Sequence, residues 1–196
     1  MDEGVRMVGL FELDEKDKKI LEILEENPEI SQNEIAKLVG LSQPSVGARI
    51  KKMKELGIIN HTYGINIRNP GLYILKVDVK CRQPRELLKL FEGCPFFLNG
   101  FIVAGNRNLT MMFIGEDLST LEAIVDQHIR PSPDVYDIDV GIVVRAERDT
   151  VVPMKIHIEP ADVPSCGSSC GDCDYWINEL CLGCPITGHY RGKIWK

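Results

Sequence analysis

Residues 31–59 have the sequence SQNEIAKLVGLSQPSVGARIKKMKELGII, and this stretch decides the fold of the first third of the chain. It begins with Ser31 and has Glu34 three positions later, which is the capping-box pattern of a helix N-terminus. Gly40 then ends this helix, and Ser42 caps another helix that has a proline in its first turn. A helix, a short turn with glycine and a second helix form a helix-turn-helix, whose second helix enters the DNA major groove.

Charge divides this segment into two unlike surfaces. A further helix is predicted from Asp14, and residues 14–34 carry eight acidic and three basic side chains. Residues 43–54 carry four basic side chains and no acidic one. DNA phosphates repel the first surface and attract the second, so we predict that residues 1–60 form a domain that binds double-stranded DNA through its third helix. The residues predicted to contact DNA are Ser42, Gln43, Ser45, Arg49, Lys51, Lys52 and Lys54.

The middle of the chain alternates strands and helices. Residues 61–72 are predicted to be a linker with a short strand at residues 63–67, and from Tyr73 onward apolar and polar residues alternate as in a strand with one wet face. A helix, a hairpin around residues 105–108, a second helix and a last strand follow. This order predicts that residues 73–158 form a ferredoxin-like βαββαβ sandwich, so the predicted fold class is α+β.

Five of the seven cysteines lie close together near the C-terminus, with the spacing C-x3-C-x2-C-x7-C-x2-C. Two C-x-x-C pairs can place four thiolates around one zinc ion, and an iron-sulfur cluster also needs four thiolates. A thiol-disulfide switch is a third alternative. We predict that residues 159–196 form a metal-binding tail that holds zinc or an iron-sulfur cluster. The predicted ligands are Cys166, Cys170, Cys173, Cys181 and Cys184. Cys81 and Cys94 have no partner at ligand spacing and are predicted to be buried or inert thiols.

Composition narrows the class of protein. With 196 residues, 44% of them hydrophobic and 27% charged, the chain is typical of a soluble protein of two small domains plus an appendage. No apolar run approaches the roughly 20 residues that a membrane span needs. The first residues lack the features of a signal or transit peptide, so we expect a cytoplasmic protein without membrane contact. In that reducing compartment, clustered cysteines favour metal binding over disulfides.

Four motifs together resemble a known family. They are LDEKDKKIL at residues 13–21, SQNEIA at 31–36, LSQPSVGARI at 41–50 and GII at 57–59. Their order and spacing are similar to those of the DNA-binding half of the leucine-responsive (Lrp/AsnC) regulators of bacteria and archaea. The resemblance implies that residues 42–54 are the recognition helix.

The sandwich resembles the effector and oligomerisation domain of the same family, so the resemblance extends over residues 13–158. It implies a homodimer or higher homo-oligomer that binds a small-molecule effector near the hairpin. The corresponding residues are Gly105, Asn106, Arg107 and Asn108, although Asn and Arg are also good turn formers. The tail that follows these two domains resembles small cysteine-rich domains. In its position in the chain it also resembles the metal-sensing modules of archaeal members of the family.

The sequence therefore predicts a sequence-specific transcriptional regulator, not an enzyme, whose cysteine cluster reports metal or redox state. One alternative is a sirohaem decarboxylase-like enzyme, because such enzymes are built on the same two-domain body. The four histidines of the chain form no recognisable constellation for that chemistry. The other alternative is an architectural DNA-binding protein with a structural zinc ion.

Overall fold

The computed structural model describes residues 13–60, 63–68, 71–164 and 166–195. The chain divides into two compact units, Met1–His61 and Thr62–Lys196. The predicted linker positions 61–62 and 69–70 lie outside the described residues, as do residues 1–12. No helix of the described part is both long enough and apolar enough to cross a membrane.

The described residues of the N-terminal unit form three helices: α1 (Glu15–Glu26), α2 (Gln32–Val39) and α3 (Gln43–Glu55). The helix caps that the sequence predicts are present. The Ser31 side chain accepts a hydrogen bond from the Glu34 amide, and Ser42 accepts one from the Ser45 amide. Gly40 ends α2 in the left-handed region, with a φ of 67°. One small core holds the three helices together and includes Ile20, Ile23, Ile35, Val39, Val46, Ile50 and Met53.

The second unit contains the predicted sandwich. Its elements are β2 (Tyr73–Cys81), α4 (Pro84–Lys89), β3 (Phe97–Ile102), β4 (Leu109–Gly115), α5 (Leu118–Ile124) and β5 (Val135–Ile142). The strands form one antiparallel sheet in the order β3-β4-β2-β5. This is the ferredoxin-like arrangement, and the α+β prediction is confirmed. The second predicted helix continues past α5 as a π-helical turn over Val125–Ile129.

Two short strands differ from the prediction. β1 (Ile65–Asn66) is shorter than expected, and it pairs with β6 (Val151–Val152). From Met154 to Ile158 apolar and polar residues alternate, but this segment is not a strand. The side chains of Met154 and Ile158 instead pack against the sandwich core. Prolines at positions 153 and 160 flank that segment and cannot donate the hydrogen bonds of a sheet.

The cysteine tail packs onto the sandwich and shares its core. Trp195 is buried, and its ring packs edge-on against Phe96 with 5.0 Å between ring centroids. Its indole nitrogen donates a hydrogen bond of 2.8 Å to the Lys155 carbonyl oxygen. The amide of Lys193 donates to the carboxylate of Glu116 at 2.8 Å. Apolar burial and directed hydrogen bonds therefore both fix the tail on the sandwich.

Candidate functional site: the third helix and the cysteine cavity

The third helix presents a polar and basic surface on the side away from its core. Val46, Ile50 and Met53 point into the core of the three helices. Six of the seven residues predicted to contact DNA are exposed: Ser42, Gln43, Ser45, Lys51, Lys52 and Lys54. Among the described residues, neither Lys52 nor Lys54 forms an ion pair. Their charges are thus available to phosphates.

The start of this helix carries polar side chains that already hold one another in place. The hydroxyl oxygens of Ser42 and Ser45 lie 2.8 Å apart. Gln43 donates a hydrogen bond of 3.0 Å to the side-chain oxygen of Gln32 on α2. Hydrogen-bonding groups at the N-terminus of a recognition helix can read base edges or fix the helix on phosphates.

Arg49 has a structural role that the sequence analysis missed. Its guanidinium lies 2.6 Å from a carboxylate oxygen of Asp14 and 2.7 Å from one of Asp17, both at the start of α1. These two hydrogen bonds raise the pKa of Arg49. The amide of Asp17 and the guanidinium both hold the pKa of Asp14 below its ordinary value. Arg49 therefore ties α1 to α3, and its contact with DNA stays a prediction.

Part of the hairpin proposed for the effector is engaged within the fold. Arg107 contacts two carboxylates of β5, Asp137 at 2.8 Å and Asp139 at 3.3 Å. The side-chain oxygen of Asn108 accepts a hydrogen bond of 2.9 Å from the backbone nitrogen of Cys81, and its side-chain nitrogen donates one of 2.8 Å to the Cys81 carbonyl oxygen. These contacts fix the end of β2. Gly105 and Asn106 are exposed, and binding of an effector here stays a prediction.

All five tail cysteines line one cavity, between the tail and the sandwich, of about 70 Å³. The tail contributes Cys166, Cys170, Cys173, Cys181 and Cys184. The sandwich contributes Cys94 and His128, together with apolar side chains that include Phe91 and Phe96. All seven cysteines of the chain are free thiols. Cys94 has no partner at ligand spacing in the sequence, but it lines the same cavity as the tail cysteines.

A tight turn shapes one side of the cavity. Gly183 lies between Cys181 and Cys184 with a φ of 85°, and its amide donates a hydrogen bond of 3.3 Å to the Cys181 sulfur. A Cβ at this position would lie 2.5 Å from the His189 carbonyl oxygen, so only glycine fits without movement. The amide of the preceding leucine donates a 2.8 Å hydrogen bond to the buried hydroxyl of Thr120 on α5.

The thiols of the cavity differ in acidity. Burial raises the pKa of the Cys166 thiol, but hydrogen bonds from His128 and from the amide of Ser168 outweigh this effect and bring the pKa to about 7. Burial raises the pKa of Cys184 to about 11. Among the described residues no Lys, Arg, Asp or Glu lines the cavity. Several thiolates can therefore coexist there only if a cation replaces their protons.

The side chains that line the cavity are of the kinds that bind metals. The described ones do not, however, converge on a single ion. Thiolates and imidazole are the donors that zinc and iron-sulfur clusters use. In the described part of the chain, no three Cys, His, Asp or Glu side chains converge on a point where they could hold one ion. His189 does not line the cavity, and its buried Nδ1 has no hydrogen-bond partner among the described residues.

Neither Cys94 nor His128 is close to the tail in sequence, so spacing gave no signal for them. Cys94 lies in the turn between α4 and β3, and His128 lies in the π-helical turn after α5. His128 Nε2 lies 3.0 Å from the hydroxyl oxygen of Ser168. Only the docking of the tail on the sandwich brings these side chains to the five cysteines.

The part of the chain that precedes the cysteine tail is similar to known proteins. The family described as "Winged helix-turn-helix DNA-binding" matches residues 13–60. The regulator LrpA of Pyrococcus horikoshii is 31% identical over 116 residues, which are 56% of this chain and 82% of that protein. The regulator FL11 of Pyrococcus furiosus is 26% identical over 157 residues, which are 78% of this chain and 96% of that protein.

A solved structure shows the same fold. The structure of E. coli AsnC matches with a TM-score of 0.59 and 18% identity, and the match covers 72% of this chain and 98% of AsnC. More than a quarter of this chain therefore lies outside the shared body. The curated relatives are transcriptional regulators and not enzymes. This chain therefore belongs to the Lrp/AsnC family of DNA-binding transcriptional regulators.

Proposed function

We propose that this regulator binds zinc or an iron-sulfur cluster through its tail cysteines, and that the metal or redox state of this centre changes its affinity for DNA. The observation that carries the proposal is the meeting of all five tail cysteines at one cavity without a charged side chain. We assign the protein to those archaeal members of the family that carry a metal-responsive module after the shared domains.

The size of the cavity favours a cluster over a single zinc ion. By the same volume measure a water molecule needs about 10–15 Å³, so the cavity of about 70 Å³ has room for several atoms. A closed zinc site requires four donors at about 2.0–2.3 Å from one point. The described thiols surround a space instead of a point. When bound, a cluster would supply a one-electron redox change or a loss of iron as the signal.

The coupling between the centre and DNA is a shift between two populations of the protein. A cofactor state that binds one conformation more tightly favours that conformation, and a coupling of about 1–3 kcal/mol changes DNA affinity by about 5–150-fold. The tail packs into the core of the sandwich, so the conformation of the sandwich is linked directly to the cavity.

Two further features of the proposal concern partners. We propose that the chain forms a homodimer or higher oligomer. Two apolar side chains of the edge strand β5 support this, because Tyr136 is 64% exposed and Ile142 is 52% exposed. We also propose that α3 binds specific DNA sequences, whereas an architectural protein would bind most sequences equally well. Light scattering tests the first assignment. Binding to selected and unrelated duplexes tests the second.

The main experiment compares the loaded and metal-free protein. Protein purified without oxygen is assayed for zinc, iron and acid-labile sulfide, and its binding is measured on a duplex selected by the protein from a random pool. We expect Cys170→Ser and Cys181→Ser to lose the centre. The DNA affinities of metal-free wild type and of both variants should then equal one another and differ from that of the loaded protein. If the centre binds but all these affinities are equal, its role is structural and the sensory proposal is wrong.

A further inference from the structure

Cys94 is the one cysteine of the cavity that the sandwich supplies. It lies in the turn between α4 and β3, and two backbone hydrogen bonds hold it there. Its own amide donates to the Phe91 carbonyl oxygen at 3.0 Å, and its carbonyl oxygen accepts from the Phe97 amide at 3.1 Å. The backbone of Cys94 is therefore held by the sandwich and not by the tail.

The sulfur of Cys94 lines the same cavity as the sulfurs of the tail. The backbone amides of Phe96 and Phe97 favour the negatively charged form of this sulfur. The amides at positions 186 and 187 act in the same way on Cys184. A neutral thiol is only a weak acceptor, whereas amide donors stabilise thiolates and the sulfurs of metal centres.

Two cysteines of the tail, Cys184 and Cys166, interact electrostatically with the sulfur of Cys94. Phe96, two positions on, packs against Trp195 of the tail and encloses this side of the cavity. A thiol in an apolar wall, with amide donors and other thiols beside it, is suited to bind a soft cation.

We propose that Cys94 is a sulfur ligand of the metal centre, supplied by the sandwich, so that the centre bridges the sandwich and the tail. This inference rests on the proposed function, because it requires that the tail cysteines bind a metal. Its consequence is specific: loading joins the α4–β3 turn to the tail and stabilises both. A cofactor that binds only the native arrangement raises the melting temperature of the unit by mass action.

The test compares Cys94→Ser with Cys81→Ser in the full chain. Cys81 is a buried cysteine of the sandwich that does not line the cavity, so it serves as the control. Each metal-free protein is loaded in parallel with zinc alone and with ferrous iron plus sulfide under nitrogen. The readouts are metal per chain, affinity, the thiolate-to-metal absorption spectrum and the rise in melting temperature on loading.

We expect Cys81→Ser to match wild type in all readouts. Cys94→Ser should bind metal at least about tenfold more weakly, show an altered spectrum and lose most of the rise in melting temperature. Equal behaviour of the two variants overturns the inference. If Cys181→Ser then abolishes loading while Cys94→Ser does not, the proposed function still stands. If wild type binds neither zinc nor a cluster, both fail.

A second measurement needs no substitution and so does not depend on whether the variants fold. Wild-type protein, loaded or metal-free, is treated with iodoacetamide for increasing times, and alkylation of each cysteine is measured by mass spectrometry. We expect loading to protect Cys94 together with the tail cysteines, and to leave the rate for Cys81 unchanged. Protection of the tail cysteines without protection of Cys94 overturns the inference.

Discussion

Gly183 provides a quantitative test of how the backbone shapes the cysteine cavity. Its φ of 85° lies in the left-handed region, where a side chain costs about 1–2 kcal/mol. A Cβ there would also lie 2.5 Å from the His189 carbonyl oxygen and 2.9 Å from the ring of Trp176. Overpacking of this kind costs typically about 1–3 kcal/mol. We therefore expect Gly183→Ala to lower the free energy of unfolding of the tail by about 2–5 kcal/mol.

Gly167 is the matched control, because it separates the two contributions. Its φ is 74°, but a Cβ there would have no atom within 4 Å. Gly167→Ala should therefore cost only the backbone contribution of about 1–2 kcal/mol. Both tryptophans of the chain, Trp176 and Trp195, lie in the tail, so their fluorescence during urea unfolding reports on it directly. Equal losses in the two variants, measured without metal, would refute the steric reasoning.

Three further predictions concern the N-terminal unit. Arg49→Ala should lower its stability in thermal denaturation by about 1–2 kcal/mol, after allowance for solvent screening, because the partly buried Asp17 carboxylate loses its 2.7 Å partner. Lys52→Ala should leave stability unchanged, weaken binding to all duplexes similarly and reduce the salt dependence by about one ion, measured by fluorescence anisotropy. Hydrogen bonds from the Ser31 hydroxyl and amide lower the pKa of Glu34, so this stabilisation is complete above its ordinary pKa and is lost as the pH falls through the lowered value. In urea unfolding between about pH 3 and pH 7, Ser31→Ala should flatten this acid-side loss.

The elements that the sequence predicts correctly are those set by local chemistry. Ser31 and Ser42 cap their helices because a side-chain oxygen can reach an amide two or three residues later, and that contact depends on the neighbouring residues alone. The strands of the sandwich follow in the same way from the alternation of apolar and polar residues. The five tail cysteines could be grouped from their spacing because all of them lie within one short segment.

The features that the sequence did not predict are made by contacts between distant segments. The salt bridges of Arg49 join residues 32 and 35 positions apart, so its charge was assigned to the DNA-facing surface only. Cys94 and His128 reach the cavity from the sandwich, and no local pattern marks either residue as a neighbour of the tail. Met154 and Ile158 alternate with polar residues but form no strand, because burial of their side chains against the core competes with sheet formation.

The π-helical turn after α5 explains how one element can serve both the sheet and the cavity. An extra residue in a helical turn rotates the side chains that follow, and such turns are frequent at functional sites. Here the turn directs His128 toward the tail, and Asp126 accepts a 2.7 Å hydrogen bond from the hydroxyl of Tyr175. The other side of the same turn buries Val125 and Ile129 in the core under the sheet. A rearrangement of the cavity wall at this turn would therefore also displace side chains that pack under the sheet, and this is the physical link that the proposed sensing by the tail requires.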